Sequence, residues 1–307
     1  MKVRIGLPLV GGQLPAAARM MGAPVLVSAN AMAVYATPIR DFVRFRAAPD
    51  LDGLDCALDS AGFVAWAHYG GFPWTVEAYV ALAASRPWAW WAQMDACCEI
   101  EIARSRDTVR MRQAETVRLL TECRTVARHL GAPAPMPVLQ GSRPSDYVWC
   151  LEQMDLDGAE LVGVGSMCRR HVNGTTGLLA VIDALDRALP AGVKLHLFGV
   201  KSEGLRILAA HPRTASIDSM AWDVEARRVG REGDGTTMAV RVAAMQRWYT
   251  AQKLHVMRAE AVPGMFDLFG DEPSGVSASA DEWANLVASG DVEAHTALHL
   301  MAREYAP

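Results

Sequence analysis

Several patterns are missing from this 307-residue chain, and each absence removes a class of function. The six cysteines (Cys56, Cys97, Cys98, Cys123, Cys150, Cys168) show no CxxC spacing, which argues against a zinc ribbon and against a disulfide framework. Among the eight histidines there is neither an HxH nor an HExxH pattern. His295 and His299 stand four apart, a spacing met more often on a solvated helix face than in a metal centre. No apolar run approaches the ~20 residues needed to cross a bilayer, and no basic segment leading into an apolar stretch opens the sequence. Lysine is confined to Lys2, Lys194, Lys201 and Lys253, and the remaining basic residues are arginine, whose planar fork suits phosphate oxygens. The formal net charge of −4 supplies no global basic field, so nucleic-acid binding would need a local basic face. These absences lead us to expect a cytoplasmic protein with free thiols, no membrane association and no metal cofactor.

A hydrophobic content of 51% with 21% charged residues is that of a folded chain. Short apolar runs bounded by turns predict strands at 3–9, 24–28, 55–59, 88–94, 136–139, 160–164, 193–198 and 214–218. Helical patterns fall at 75–85, 106–130, 145–154, 174–189, 202–210 and 237–253. Thr75 is placed to cap the first, and Gly131 with Pro133 and Pro135 ends the second. Eight strands, most followed by a helix, predict an α/β fold: a single (β/α)8 TIM barrel over 1–262. A doubly wound open sheet is the alternative, but its first-turn glycine fingerprint is missing. Residues 263–307 read as a loop and helical tail, with a helix at 281–305, packed on the barrel.

The strands so placed end on Asp59, Asp95, Gln140, Ser166, Lys201 and Asp218. In a barrel these ends share the face where active sites are built. An aspartate after a strand is commonly a turn residue or cap. Three carboxylates gathered at one mouth can instead divide the roles of nucleophile and acid or base, as in retaining glycosyl transfer. Gly163-Val164-Gly165-Ser166 either exposes backbone N–H groups to a ligand or makes a tight turn. Trp222 either stacks on a base or sugar or belongs to the core. Arg169 and Arg170, directly after a strand end, are candidate phosphate contacts, as are Arg227 and Arg228. Most members of the clusters at 104–112 and 227–231 read as solvated faces.

Seven ordered motifs resemble those of tRNA-guanine transglycosylases, and more closely their DpdA-type relatives that install 7-deazaguanines in DNA. They are Leu58-Asp59-Ser60-Ala61-Gly62-Phe63, Gln93-Met94-Asp95-Ala96-Cys97-Cys98-Glu99, Pro137-Val138-Leu139-Gln140-Gly141, Asp146-Tyr147, the run from Val162 to Arg170, Leu195-His196-Leu197-Phe198-Gly199-Val200-Lys201, and Ser216-Ile217-Asp218-Ser219-Met220-Ala221-Trp222. The resemblance covers roughly residues 1–250. It implies a barrel enzyme that exchanges guanine for a 7-deazaguanine, with 7-cyano-7-deazaguanine (preQ0) as the suggested base. Asp218 would be the nucleophile and Asp59 the second carboxylate, handling the base proton. Asp95 and Gln140 would read the guanine edge and Gly163, Val164, Gly165 and Ser166 would line it, with Phe198 flanking the base. Gly199, Lys201 and Trp222 complete the implied substrate surroundings. DNA with a flipped or single-stranded guanine would be the partner, along with the free base and with a homodimer or accessory modification proteins as further partners. The zinc site of the tRNA enzymes has no counterpart here, which puts tRNA in doubt, and Ala61 stands where the family has glycine. Asp223 remains an alternative nucleophile. Other readings are a tRNA-guanine transglycosylase-like enzyme, a barrel glycoside hydrolase using Asp59 and Asp218, and a non-catalytic nucleobase binder.

Overall fold

A computed structural model of the chain describes residues 1–36, 41–168, 170–232 and 236–261. Its elements begin with β1 (Lys2–Leu7), α1 (Gln13–Met20), β2 (Val25–Ser28), α2 (Ala29–Met32), β3 (Ala33–Ala36), β4 (Asp41–Phe45) and β5 (Cys56–Asp59). After β5 come a short turn α3 (Gly62–Val64), a wider helical turn at Ala65–Tyr69, and α4 (Val76–Ala84). Strand and helix then alternate: α5 (Arg106–Leu130), β6 (Val138–Leu139), α6 (Pro144–Glu152), β7 (Leu161–Val164), α7 (Leu178–Ala188), β8 (Lys194–Leu197) and α8 (Ser202–Leu208). The described chain closes with β9 (Thr214–Ser219), α9 (Ala221–Glu232) and α10 (Met238–Ala261).

Seven strands form one curled parallel sheet in the order β5-β2-β1-β9-β8-β7-β6. The segment 88–94, expected as a strand, does not form one. That segment carries only isolated bridges, Leu58 to Trp91 and Ala92 to Met136. It still bonds both sheet edges: Ala92 N–H donates to Leu58 C=O (2.9 Å), and Gln93 N–H to Met136 C=O (3.1 Å). The ladder stops there because the Gln93 side chain takes over, its Oε1 accepting from Val138 N–H and its Nε2 donating to Met94 and Thr116 carbonyls. A curled sheet with a bridging segment therefore stands where a complete eight-strand barrel was expected.

Alternation along each strand divides the side chains between two layers. Ile5, Val27, Leu58, Val164, Leu197 and Ile217, each at most 1% exposed, belong to the core cluster that includes the helices. Ala92, Met136 and Val138 form a separate buried cluster with Trp90 and Phe198 packed against it. His196, Ser216 and Asp218 alternate with the outward residues of β8 and β9. Helix ends obey local chemistry. Thr75 Oγ1 accepts from Ala78 N–H, Ser105 Oγ from Thr108 N–H, and Gly131 ends α5 at φ 65°.

The sequence reading did not anticipate α1, α9 or the antiparallel pair β3–β4, whose rings Tyr35, Phe42 and Phe45 gather with Trp74. The 263–307 segment, with its expected helix at 281–305 and with His295 and His299, lies outside the described residues, as does Arg169. Among the described residues no helix is long and apolar enough to cross a membrane.

Candidate active site

Asp59 and Asp218 at the ends of β5 and β9, Gln140 and Ser166 after β6 and β7, and Asp95 after the bridging segment gather into one polar cluster. Asp59 is the last residue of β5, and the turn after it is tight: Ala61 adopts φ 68°, the left-handed region that glycine would occupy without strain. That turn aims Ala61 N–H at Asp59 Oδ2 (3.1 Å). Gly62 is required for space, because a Cβ there would lie 2.7 Å from Asp95 C=O.

A chain of hydrogen bonds fixes the next groups. Ser60 Oγ donates to Asp95 Oδ1 (2.6 Å), and Gln140 Nε2 donates to Asp95 Oδ2. Ser166 Oγ donates to Gln140 Oε1 (2.6 Å) while accepting from Cys98 N–H (2.7 Å), and Glu99 Oε2 lies 3.1 Å from the same hydroxyl. Tyr147 Oη, donating to Gly165 C=O (2.9 Å), braces the β7 turn from α6. Ser166 itself is at φ 54°. Buried polar groups joined this completely are held in one arrangement.

Electrostatics separate the carboxylates. Burial, then the charges of Asp95 and Asp218, pushes Asp59 up to about 7. Burial pushes Asp95 up to about 6 against the hydrogen bonds from Ser60 and Gln140, with Glu99 adding to the rise. Burial also raises Glu99 above the usual carboxylate range. Asp59 is therefore part protonated near neutrality, which suits it to give and take a proton.

Asp218 is 7% exposed near the end of β9. Its Oδ1 accepts from Gly199 N–H (3.0 Å), and the backbone of Gly199 turns there at φ 67°. His196 Nε2 lies 3.5 Å from the same oxygen. Phe198 stands T-shaped to the His196 ring at 4.5 Å and lies close beneath Gly163, where a Cβ would come 2.8 Å from its Cε2. Gly163, Val164 and Gly165 are all buried.

Other expected site residues are placed elsewhere. Trp222 is 1% exposed and packs in the core, so it offers no face to a base; the core alternative holds. Asp223, also 1% exposed, is bound by Arg227 Nη2 (2.9 Å) and Arg241 Nη2 (2.6 Å), which commits its carboxylate to two arginines. Arg170 spends its guanidinium on the carbonyls of Ser142, Ser166 and Thr176 and on Tyr147 Oη, and so ties loops together. Lys201, Arg227 and Arg228 are exposed, with Arg228 paired to Glu225 on the same helix. The 104–112 cluster is more built-in than a solvated face: Arg106 pairs with buried Asp146, Arg110 stacks on Trp149, and Arg112 is buried over Trp66. Sequence reasoning assigned no role to Ser28, Ser60, Glu99 or His196. Ser28 stands opposite Asp59 in the β2–β5 register and works against the rise of its carboxyl pKa. Among the described residues no group of three or more His, Cys, Asp or Glu side chains is placed to hold a metal ion.

No curated protein matches the chain. A family model, DpdA, described as DeoxyPurine in DNA protein A, matches residues 9–261. That span includes every residue of the polar cluster, and the chain belongs to the DpdA family.

Proposed function

We propose that this protein exchanges guanine in DNA for a 7-deazaguanine, with preQ0 as the incoming base, by way of a covalent Asp218–deoxyribose intermediate. The observation that carries the reading is the meeting of Asp59, Asp95 and Asp218 at one end of the sheet and its bridging segment, with Asp59 held near 7. On this reading, residues 90–93 serve as the eighth stave of a barrel whose mouth receives a flipped guanine. Asp95, Gln140 and the backbone at 163–166 read the base edge, and Phe198 flanks the ring.

The steps balance as a double displacement. A carboxylate oxygen of Asp218 attacks C1′ as the C1′–N9 bond breaks, and the departing base nitrogen takes its proton from Asp59. Guanine leaves and the deazaguanine enters the same place. Asp59, now a carboxylate, removes the proton from the incoming N9 as that nitrogen attacks C1′ and releases Asp218. Two inversions at C1′ retain the configuration, and no external reductant or energy source is needed. The family description, which names deoxypurine in DNA, supports DNA over tRNA as the polymer.

The test is release of labelled guanine from DNA on addition of preQ0, with tRNA and a glycoside panel in parallel. Expected are exchange on DNA only, its loss in Asp218→Ala and Asp59→Ala, and a wild-type protein–DNA adduct mapped to Asp218 by mass spectrometry. Undiminished exchange by Asp218→Ala would overturn the mechanism. Exchange on tRNA alone, or sugar release without base exchange, would overturn the substrate.

A further inference from the structure

One buried titratable side chain beside the cluster takes no part in the steps above. His196 is 0% exposed, and its position follows from the strand pairing. The β8–β9 register shifts between Leu195 and His196, which sets His196 opposite Ser216. Ser216 and Asp218 share a face of β9, so one imidazole reaches both. Nδ1 lies 2.8 Å from Ser216 Oγ, and Nε2 lies 3.5 Å from Asp218 Oδ1.

We infer that His196 is a positioning residue for the nucleophile: as a neutral imidazole with its proton on Nε2, it fixes Asp218 Oδ1 and leaves Oδ2 as the attacking oxygen. The inference rests on the proposed reaction for its meaning, while the contact itself stands on geometry.

The tautomer follows from the two neighbours. A carboxylate oxygen only accepts, so the nitrogen facing it carries the proton; Nδ1 then accepts from the Ser216 hydroxyl, which can rotate to donate. The opposite tautomer would set a lone pair against a carboxylate and leave buried Nε2 unbonded. At 3.5 Å the Nε2 contact exceeds ordinary hydrogen-bond length, and a sub-ångström movement of the carboxylate closes it. Contacts of this kind tighten as a reaction proceeds.

Orientation of the ring is set by packing. Trp90 lies 4.6 Å away by ring centroids and Phe198 4.5 Å away at 85°, and the Arg4 guanidinium sits over Trp90 at 5.4 Å. Of the charged groups facing His196, Asp218 favours the imidazolium while burial, the largest influence, and Arg4 oppose it, with the net result downward. The ring thus stays neutral and directs the carboxylate without neutralising it. Gly199 N–H holds Oδ1 from the other direction. Among the described residues no hydrogen bond holds Oδ2.

Two measurements on the full chain test this. In 15N imidazole spectra, with His196 assigned by its loss in His196→Phe, the expected pattern is a neutral Nε2–H form at pH 7. Its Nε2 signal should move in Asp218→Asn and its tautomer balance in Ser216→Ala. A protonated ring, or a proton on Nδ1, would overturn the inference. In single-turnover kinetics, His196→Phe keeps the aromatic packing and removes the N–H. Formation of the Asp218 adduct should slow roughly 10- to 100-fold with DNA affinity unchanged, a range set by loss of one hydrogen bond to a charged group. His196→Gln, which restores an N–H, should recover part of the rate. An unchanged rate in folded His196→Phe would overturn the role. A wild-type protein that makes no adduct would overturn the proposed reaction instead, and the imidazole spectra decide the contact independently.

Discussion

Gly165 and the Gln140 amide occupy adjoining space so tightly that a Cβ on Gly165 would lie 2.8 Å from Gln140 Cδ and closer still to its Nε2. Gln140 is the middle of the polar chain, donating to Asp95 and accepting from Ser166. An added methyl at 165 pushes that amide off both partners. Each lost hydrogen bond to a buried charged or polar group costs about 1–3 kcal/mol. Gly165→Ala is therefore expected to weaken use of the incoming base at least about tenfold, seen as a raised KM in exchange assays. The protein should stay folded by circular dichroism, since the disturbance is confined to the mouth.

The position of Asp59 near 7 gives the proposed reaction an alkaline limit. Departure of the base needs protonated Asp59, so adduct formation should fall about tenfold per pH unit once pH passes the value at which the cluster loses its proton, near 7. Rapid-quench measurement of the adduct between pH 6 and 9 checks it. In Asp59→Asn the rate should be low throughout, without that alkaline limb.

The same carboxyl group predicts a cost in stability. Its native pKa lies above its unfolded value, so the native state binds more protons between the two. Stability from this source is complete below about pH 3.8 and declines as pH rises through about 7. At pH 8 the native protein carries the burden of a desolvated, repelled charge, on the order of 2 kcal/mol once partial solvent access at the mouth is allowed for. Asp59→Asn should melt higher than wild type at pH 8, and the difference should shrink towards pH 4. Thermal melts across that window would reveal the convergence, and a parallel pH dependence of the two proteins would refute it.

The strands were legible because each is an apolar run closed by a polar or glycine residue, and this also located Asp59 and Asp218. Residues 88–94 read equally well as a strand, yet the Gln93 side chain replaces the main-chain ladder, a substitution that periodicity does not encode. The β3–β4 pair was missed because its residues are mostly half-buried or exposed and never alternate cleanly. His196 reads as one of two polar residues, with Lys194, in an otherwise apolar strand. Its partners lie 20 and 22 positions away and are brought near only by the shifted β8–β9 register. Trp222 and Asp223 were ambiguous for the same reason, since the residue that settles Asp223, Arg241, lies on a different helix.

That ion pair separates structure from chemistry at the two neighbouring aspartates. Asp223 is 1% exposed between Arg227 and Arg241, of which Arg227 is half exposed and Arg241 largely buried. Removing the carboxylate leaves the buried Arg241 guanidinium unpaired at the α9–α10 contact, a loss that typically costs about 3–5 kcal/mol. Asp223→Ala should thus lower the melting temperature by several degrees, while the folded fraction still forms a covalent adduct at Asp218. Arg241→Met, which removes both the charge and the need for a partner, should recover part of the lost stability when combined with Asp223→Ala, because a buried pair replaced on both sides avoids an uncompensated charge. If adduct formation in folded Asp223→Ala fell as completely as in Asp218→Ala, the assignment of the nucleophile would have to move from β9 to α9.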